Sequence, residues 1–342
     1  MSATSKPIRL GIVGCGAVTR ECHLPALGNI PGVEITILCD RAEQNAHTAK
    51  GEFGLAARVT GNAADLKGNV DAAIVAVPPR FHAPATIELL AAGIDVFCEK
   101  PLAVTAAEGE KMAAAAAQHE RHLAVGLMTR FEGNNALLRK FMNDPLLGDV
   151  REIVAESGSA LAWAMVSNAY YDRAQTGGGV FFDAGVHLLD RVLWLFGDMT
   201  DVEFEDDSYG GVESNARLRG RFNINGRAVP CRMAFSWTHA LANGIRVVGT
   251  GATLEARLKD PDTLYVTRQV AGESVQMLVP APGKPLSAYQ KQLDDFIEAV
   301  RTRRAPFVTG ASAVKSLQLI EKAYSVRKRM PQPWVETFAP LK

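Results

Sequence analysis

In the N-terminal third, apolar residues come as short continuous runs, each ended by a turn-forming or charged residue. Ile8 to Val13 (IRLGIV) stops at Gly14-Cys15-Gly16, and Asp71 to Val77 (DAAIVAV) stops at Pro78-Pro79. Asp95 to Cys98 stops at Glu99-Lys100-Pro101, and a further run spans Leu123 to Leu127. Val33 to Leu38 (VEITIL) is β-branched and alternating and ends at Cys39-Asp40, and a short strand is expected near Ala57 to Thr60. The Ala-rich stretches Ala83–Ala92 and Ala106–His119, and the segment from about Ala17 to Gly28, read as helices. Strands buried on both faces and separated by helices predict a parallel, doubly wound sheet.

The pattern changes from about Arg151. Alternating stretches appear at Arg151–Ser157, Ala216–Phe222, Ala228–Trp237, Ile245–Gly249, Leu264–Val270 and Val275–Val279, and Asn225-Gly226 marks a hairpin. Val180–Phe196 reads as one helix, and two more are expected over Leu286–Arg303 and Ala311–Met330. The predicted fold is α/β plus α+β. A doubly wound Rossmann domain occupies residues 1–127. An α+β domain with a large open, mostly antiparallel sheet covered by helices occupies 128–342.

Composition narrows the function classes. Lys plus Arg equals Asp plus Glu at 37 each, so no net field favours nucleic acid or a membrane surface. No run of 18 apolar residues is present, and no signal peptide is seen, so a cytoplasmic protein is expected. The five cysteines are scattered without a CxxC, which fits free thiols, and no histidine pair has metal spacing with a third ligand. No metal site is expected.

The first turn carries the clearest chemistry. Gly14 permits a tight strand-to-helix turn, and Gly16 lets backbone and helix N-terminus approach a pyrophosphate. Thr19 occupies the third glycine position of the fingerprint, which implies a wider spacing between helix and strand. Asp40 ends the second strand, where a carboxylate can accept both ribose hydroxyls and repel a 2′-phosphate. Arg41 follows and can pair with that phosphate, so NAD is expected and NADP stays open. Lys100 is held at the sheet edge before a proline, where it can polarise a hydroxyl or share its proton; a solvated loop lysine is the alternative. Asp183, His187 and Asp190 fall on one helical face. Asp183 or Asp190 can orient an imidazole that accepts a hydroxyl proton near neutral pH; a core histidine satisfied by Asp190 is the alternative.

GIVGCGAV at the start, PPRFH after the fourth strand, EKP after the fifth, VGLMTRF after the sixth and GGGVFFDAGVHLLD beyond resemble, in order and spacing, the glucose–fructose oxidoreductase, inositol dehydrogenase and MocA family. The resemblance implies that Lys100, Asp183 and His187 are catalytic and meet the substrate, that the Lys100-Pro101 bond is cis, and that NAD or NADP is the cofactor. The cofactor is expected against Gly14, Gly16, Ala17, Val18, Asp40, Arg41, Pro78, Pro79, His82, Glu99 and Lys100. Arg130 and Tyr170 are expected to join the substrate contacts, although Arg130 can equally form a surface ion pair. His23 is expected to pack near the cofactor. The implied activity is hydride transfer between the nicotinamide and a secondary alcohol or ketone of a small sugar, polyol or nucleotide sugar. The rivals are a redox-neutral glycosidase that uses NAD transiently and a non-catalytic regulator on the same fold. The family's open sheet implies a homo-dimer or homo-tetramer, with Met233, Phe235 and Trp237 as interface candidates.

Overall fold

The computed structural model describes residues 6–160, 173–209, 211–283 and 286–331. The chain divides into two compact units, Met1–Phe131 with Lys284–Leu317, and Glu132–Gly283 with Gln318–Lys342. The first contains β1 (Ile8–Val13), α1 (Leu24–Leu27), β2 (Val33–Cys39), α2 (Glu43–Glu52), β3 (Arg58–Thr60), β4 (Ala72–Val75), α3 (His82–Ala91), β5 (Asp95–Cys98), α4 (Ala106–Gln118) and β6 (Leu123–Val125). A π-helical turn over Thr19–His23 leads into α1. The sheet order is β3-β2-β1-β4-β5-β6, with every pairing parallel. β4, β5 and β6 are buried at every position, which is why they read as unbroken apolar runs. The strand order reverses between β1 and β4, and dinucleotides bind at the carboxyl ends of the strands at such a point.

The second unit contains α5 (Gly133–Phe141), β7 (Val150–Gly158), α6 (Arg173–Thr176), α7 (Val180–Asp183), α8 (Gly185–Phe196), β8 (Met199–Asp206), β9 (Asn215–Ile224), β10 (Arg227–Ser236), β11 (Gly244–Gly249), β12 (Thr253–Arg257), β13 (Thr263–Val270) and β14 (Glu273–Pro280). With β15 (Arg327–Arg329) the strands form one sheet in the order β14-β13-β12-β11-β7-β10-β9-β8-β15. Only β7–β10 and β8–β15 pair in parallel. Asn225 and Gly226 take φ of 51° and 80° at the β9–β10 turn, as a two-residue hairpin loop requires.

Two helices close the described chain, α9 (Ala288–Thr302) and α10 (Gly310–Ser325). The sequence places both in the second domain, but α9 belongs to the first unit. Leu293, Phe296 and Ile297 are fully buried in the cluster formed by Ile12, Leu38, Ile74 and Phe97, and the Phe97 and Phe296 rings lie 5.8 Å apart. The expected helix Ala311–Met330 ends at Ser325, because Arg327–Arg329 joins the sheet edge, held by an Arg327–Asp206 ion pair at 2.7 Å. The interface expectation is corrected for Met233 and Phe235, while Trp237 is half-buried. Met233 and Phe235 alternate with exposed Arg232 and turn inward, Phe235 lying 5.1 Å from the Phe181 ring. The opposite face instead presents Arg217, Arg219, Arg221 and Arg232, the last paired with Glu152 at 2.7 Å. Among the described residues no helix is long and apolar enough to cross a membrane.

Candidate active site

The turn after β1 is built around glycines and one carboxylate. Gly14 has a φ of 97°, and a Cβ there would approach the Ala76 carbonyl oxygen to 2.3 Å, so no larger residue fits. Gly16 is exposed with open space where a Cβ would stand, which gives a ligand access to the backbone. Ala17 and Val18 follow, both half-buried. Asp40 accepts from the Cys15 amide at 2.9 Å, the Ala42 amide at 2.9 Å and the Asn45 side chain at 3.3 Å. These three bonds brace the turn and leave carboxylate lone pairs for a ribose. Arg41 beside it is exposed. Thr19 is fully buried and donates to the Gly14 carbonyl at 2.7 Å. Thr19 opens a π-helical turn, and its hydroxyl closes back onto the fingerprint loop. These residues fit a dinucleotide: open backbone at Gly16, a braced acid at Asp40, and a sheet switch point beside both.

Two expected cofactor contacts are turned elsewhere. His82 is fully buried, with Nδ1 2.8 Å from the Pro101 carbonyl and Nε2 2.8 Å from the Val77 carbonyl. Its ring ties the loop after β4 to the loop after β5, while Pro78, exposed, and Pro79, half-buried, form the outer turn. Burial pulls the His82 pKa down, against the Pro101 and Val77 carbonyls and the Glu99 charge. The Glu99 carboxyl is also buried. It accepts from His23 Nε2 at 2.8 Å and from the Lys100 amide at 3.0 Å. Lys100 is half-buried, and its bond to Pro101 is cis. Arg130 is 6% exposed, on a 3-10 turn over Met128–Phe131, so the surface ion-pair alternative is set aside.

In the second unit, the expected helix Val180–Phe196 is two helices meeting at Ala184. Asp183 ends α7, its amide donating to the Gly179 carbonyl at 2.9 Å, and His187 lies in the first turn of α8. Gly185 opens α8 because a side chain there would press on Phe235 at 3.2 Å. Asp183, Ala184 and His187 are half-buried, while Phe181, Phe182, Val186, Leu188 and Leu189 are buried. Asp183 and His187 thus stand on either side of the break at Ala184, both half-buried, while Asp190, expected on the same face, is buried. Tyr170 lies outside the described residues, as do Trp163 and Tyr171.

Glu213 was not legible as a site residue. It is fully buried, and its Oε1 accepts from the Gly179 amide at 2.9 Å, the Phe181 amide at 3.2 Å and the Tyr324 hydroxyl at 2.8 Å. Its carbonyl accepts from the Val180 amide at 2.9 Å, so this one residue satisfies the start of α7. A Cβ on Gly179 would approach the Glu213 carbonyl oxygen to 2.0 Å, which explains the glycine. Burial pushes the Glu213 carboxyl above its ordinary range, and nearby Asp206 adds to this, against hydrogen bonds from its own amide, Tyr324 and Gly179. Arg191, one turn after His187, is also buried; its Nε and Nη2 donate to Asn135 Oδ1 at 3.2 and 2.7 Å. The available signal was the Asp190-Arg191 pair inside an otherwise apolar helical run.

Known proteins show the same two-part organisation. Residues 8–127 match the family model described as the oxidoreductase family, NAD-binding Rossmann fold, and residues 163–336 match its C-terminal alpha/beta domain. The chain is 29% identical over 333 residues to the rhizopine catabolism protein MocA of Rhizobium meliloti, covering 94% of this chain and 95% of that one. It is 27% identical over 336 residues to 1,5-anhydro-D-fructose reductase of Ensifer adhaerens, covering 90% and 93%. The crystal structure of aldose-aldose oxidoreductase from Caulobacter crescentus, complexed with glycerol, superposes with a TM-score of 0.82 at 25% identity, covering 94% of this chain and 97% of that one.

Proposed function

Because the chain belongs to the Gfo/Idh/MocA oxidoreductase family, we propose that it interconverts a secondary alcohol and a ketone on a sugar, polyol or nucleotide sugar. The observation that carries this reading is that Asp183 and His187 are half-buried among the buried residues Phe181, Phe182, Val186 and Leu188. Relatives named for a reductase of anhydrofructose and an aldose oxidoreductase support the substrate class.

The Gly14–Val18 turn offers backbone amides to a pyrophosphate, and Asp40 accepts from the adenosine ribose, which favours NAD over NADP. When bound, the nicotinamide supplies the hydride acceptor or donor for the carbinol carbon. His187 takes the hydroxyl proton as general base. Lys100 donates to the same oxygen and stabilises the charge that develops there. Asp183 orients His187 or a neighbouring hydroxyl. Arg130 and Tyr170 are assigned to further hydroxyls of the substrate.

Replacing Lys100 by Met or His187 by Asn should lower turnover by about 10²–10⁴-fold, the range of general acid–base catalysis, with little change in NADH affinity measured by fluorescence. Unchanged turnover in both variants contradicts the assignment. Sugar release without net formation of reduced cofactor would instead favour the redox-neutral glycosidase.

A further inference from the structure

The proposed chemistry makes no use of the buried pair formed by His23 and Glu99. The His23 side chain is fully buried and that of Glu99 is 9% exposed, and their 2.8 Å contact joins residues 76 positions apart. A carboxylate only accepts, so the proton of this bond is on His23 Nε2. His23 Nδ1 has no hydrogen-bond partner among the described residues, so the ring's one polar contact is with Glu99. The ring is wedged edge-on against Phe97 at 5.9 Å and Tyr289 at 6.4 Å, which leaves it little freedom to turn.

Glu99 is held at both oxygens. Oε1 receives His23, and Oε2 receives the amide of Lys100, the next residue along the chain. The space for the carboxylate comes from Gly126, where a Cβ would stand 2.9 Å from Oε2. The charged and titratable groups around it are His23, Lys100, His82, Cys22, Cys98 and Tyr289. Burial opposes ionisation of Glu99, but the hydrogen bond and charge of His23, with the charge and amide of Lys100, outweigh it and hold the carboxyl below its ordinary range.

His23 ends the π-helical turn that Thr19 opens, and Thr19 is itself bonded to Gly14. A short covalent and hydrogen-bonded path therefore runs from the dinucleotide fingerprint to the backbone of Lys100. A regular helix would carry residue 23 to a different angle, which gives the π turn a purpose.

We infer that His23 is a positioning residue that acts through Glu99, fixing that carboxylate and, through it, the Lys100 backbone; this deepens the assignment of Lys100 to the substrate and rests on it. Removal of the donor leaves Glu99 buried with less support for its charge. The carboxylate is then free to turn, and the Lys100 amide loses its fixed acceptor.

The test compares His23→Leu, which removes the donor, with His23→Gln, which keeps an N–H where Nε2 stood. The amine of Lys100 is followed by isotope-labelled reductive methylation and NMR titration, its signal assigned with Lys100→Arg. In His23→Leu the Lys100 inflection should move by about half a pH unit or more, and in His23→Gln it should stay within about a quarter of a unit of the parent. Turnover should fall at least about 10-fold in His23→Leu, with KM and the NADH Kd within about 3-fold, and His23→Gln should recover most of it. An unmoved Lys100 inflection in a folded His23→Leu overturns the inference. If His23→Leu does not fold, Glu99→Gln takes its place; it removes the anion itself, so a downward shift is expected and the same null result is fatal. Lys100→Met separates the two claims. If it is inactive while His23→Leu is normal in turnover and titration, Lys100 keeps its role and His23 loses its own. If Lys100→Met is fully active, the assignment beneath the inference fails.

Discussion

Glu99 and Glu213 are both buried, and each accepts from backbone amides of a segment that carries candidate catalytic residues. Their protonation equilibria nevertheless move in opposite directions. Glu99 shares its surroundings with an imidazole and a lysine and is held below its ordinary range. Glu213 receives only amide and phenol donors, has Asp206 as a charged neighbour, and is pushed up. Burial is common to both, so the imidazole donor and the lysine beside Glu99 decide the sign. The first segment is held by charge. The second is held by neutral hydrogen bonds and by close backbone packing.

The largest expected effect lies in that packing. Gly179→Ala would force a Cβ into the Glu213 backbone, which cannot swing aside as a side-chain tip can. The cost should be about 3 kcal/mol, at the upper end of overpacking losses, measured by denaturant unfolding. A loss below about 1 kcal/mol would mean that the α7 entry is loosely held.

Glu99→Gln comes next. Both Glu99 oxygens face N–H donors, so the amide must turn its own donor toward one of them. The expected cost is about 1–3 kcal/mol near neutral pH. The sign of the pH dependence follows from the lowered pKa. As pH falls, the unfolded chain takes up the proton first, so the contribution of Glu99 is complete above about pH 4.5 and lost below it. The stability gap between parent and variant should therefore close in acid. A gap that is constant from neutral to acid pH would contradict the ionised assignment.

Glu213→Gln should behave in the reverse sense and more mildly. Oε1 takes all three donors and Oε2 has none among the described residues, so the amide fits without opposing a donor. The cost near pH 4 should be under about 1 kcal/mol. Because the native pKa is raised, the parent loses stability as pH climbs above about 4.5, and the variant escapes that loss. The variant should gain on the parent with rising pH; a falling difference would contradict the raised pKa. A comparably small effect is expected for Gly126→Ala, whose Cβ would first meet the end of the Glu99 side chain. It should cost about 1 kcal/mol and reproduce part of the His23→Leu shift in the Lys100 titration.

The legible parts of the fold were those that local pattern controls. β1 and β5 match their expected bounds because each apolar run is buried throughout or nearly so and stops at a residue that ends a strand. The turn at Gly14–Gly16 and the acid at Asp40 were readable because backbone chemistry demands those residue types. β8 (MTDVEFED) was missed because its polar residues hide the alternation, and α5 because it opens on Gly-Asn-Asn, weak helix formers. The break at Ala184 left no mark either, since the apolar period runs through it. The contacts that hold its two sides, Glu213 at the start of α7 and Phe235 against Gly185, come from far away in the chain. Nothing local marked Leu293, Phe296 and Ile297 as completing the core of the first unit. For the candidate site, sequence put His82 and Glu99 at the right sheet edge but not the direction of their side chains. His82 turns to two carbonyls and Glu99 to His23, a partner 76 residues away.

The central claim is hydride transfer at a hydroxyl handled by Lys100 and His187. The most direct test follows the near-ultraviolet absorbance of the reduced nicotinamide while sugars, inositols and nucleotide sugars are offered with NAD and with NADP, using the parent chain and Lys100→Met side by side. The account predicts a substrate-dependent signal, stronger with NAD, that Lys100→Met lowers by about 10²-fold or more. An equal signal from both proteins, or none from the parent with any alcohol or corresponding ketone despite measurable cofactor binding, would contradict it.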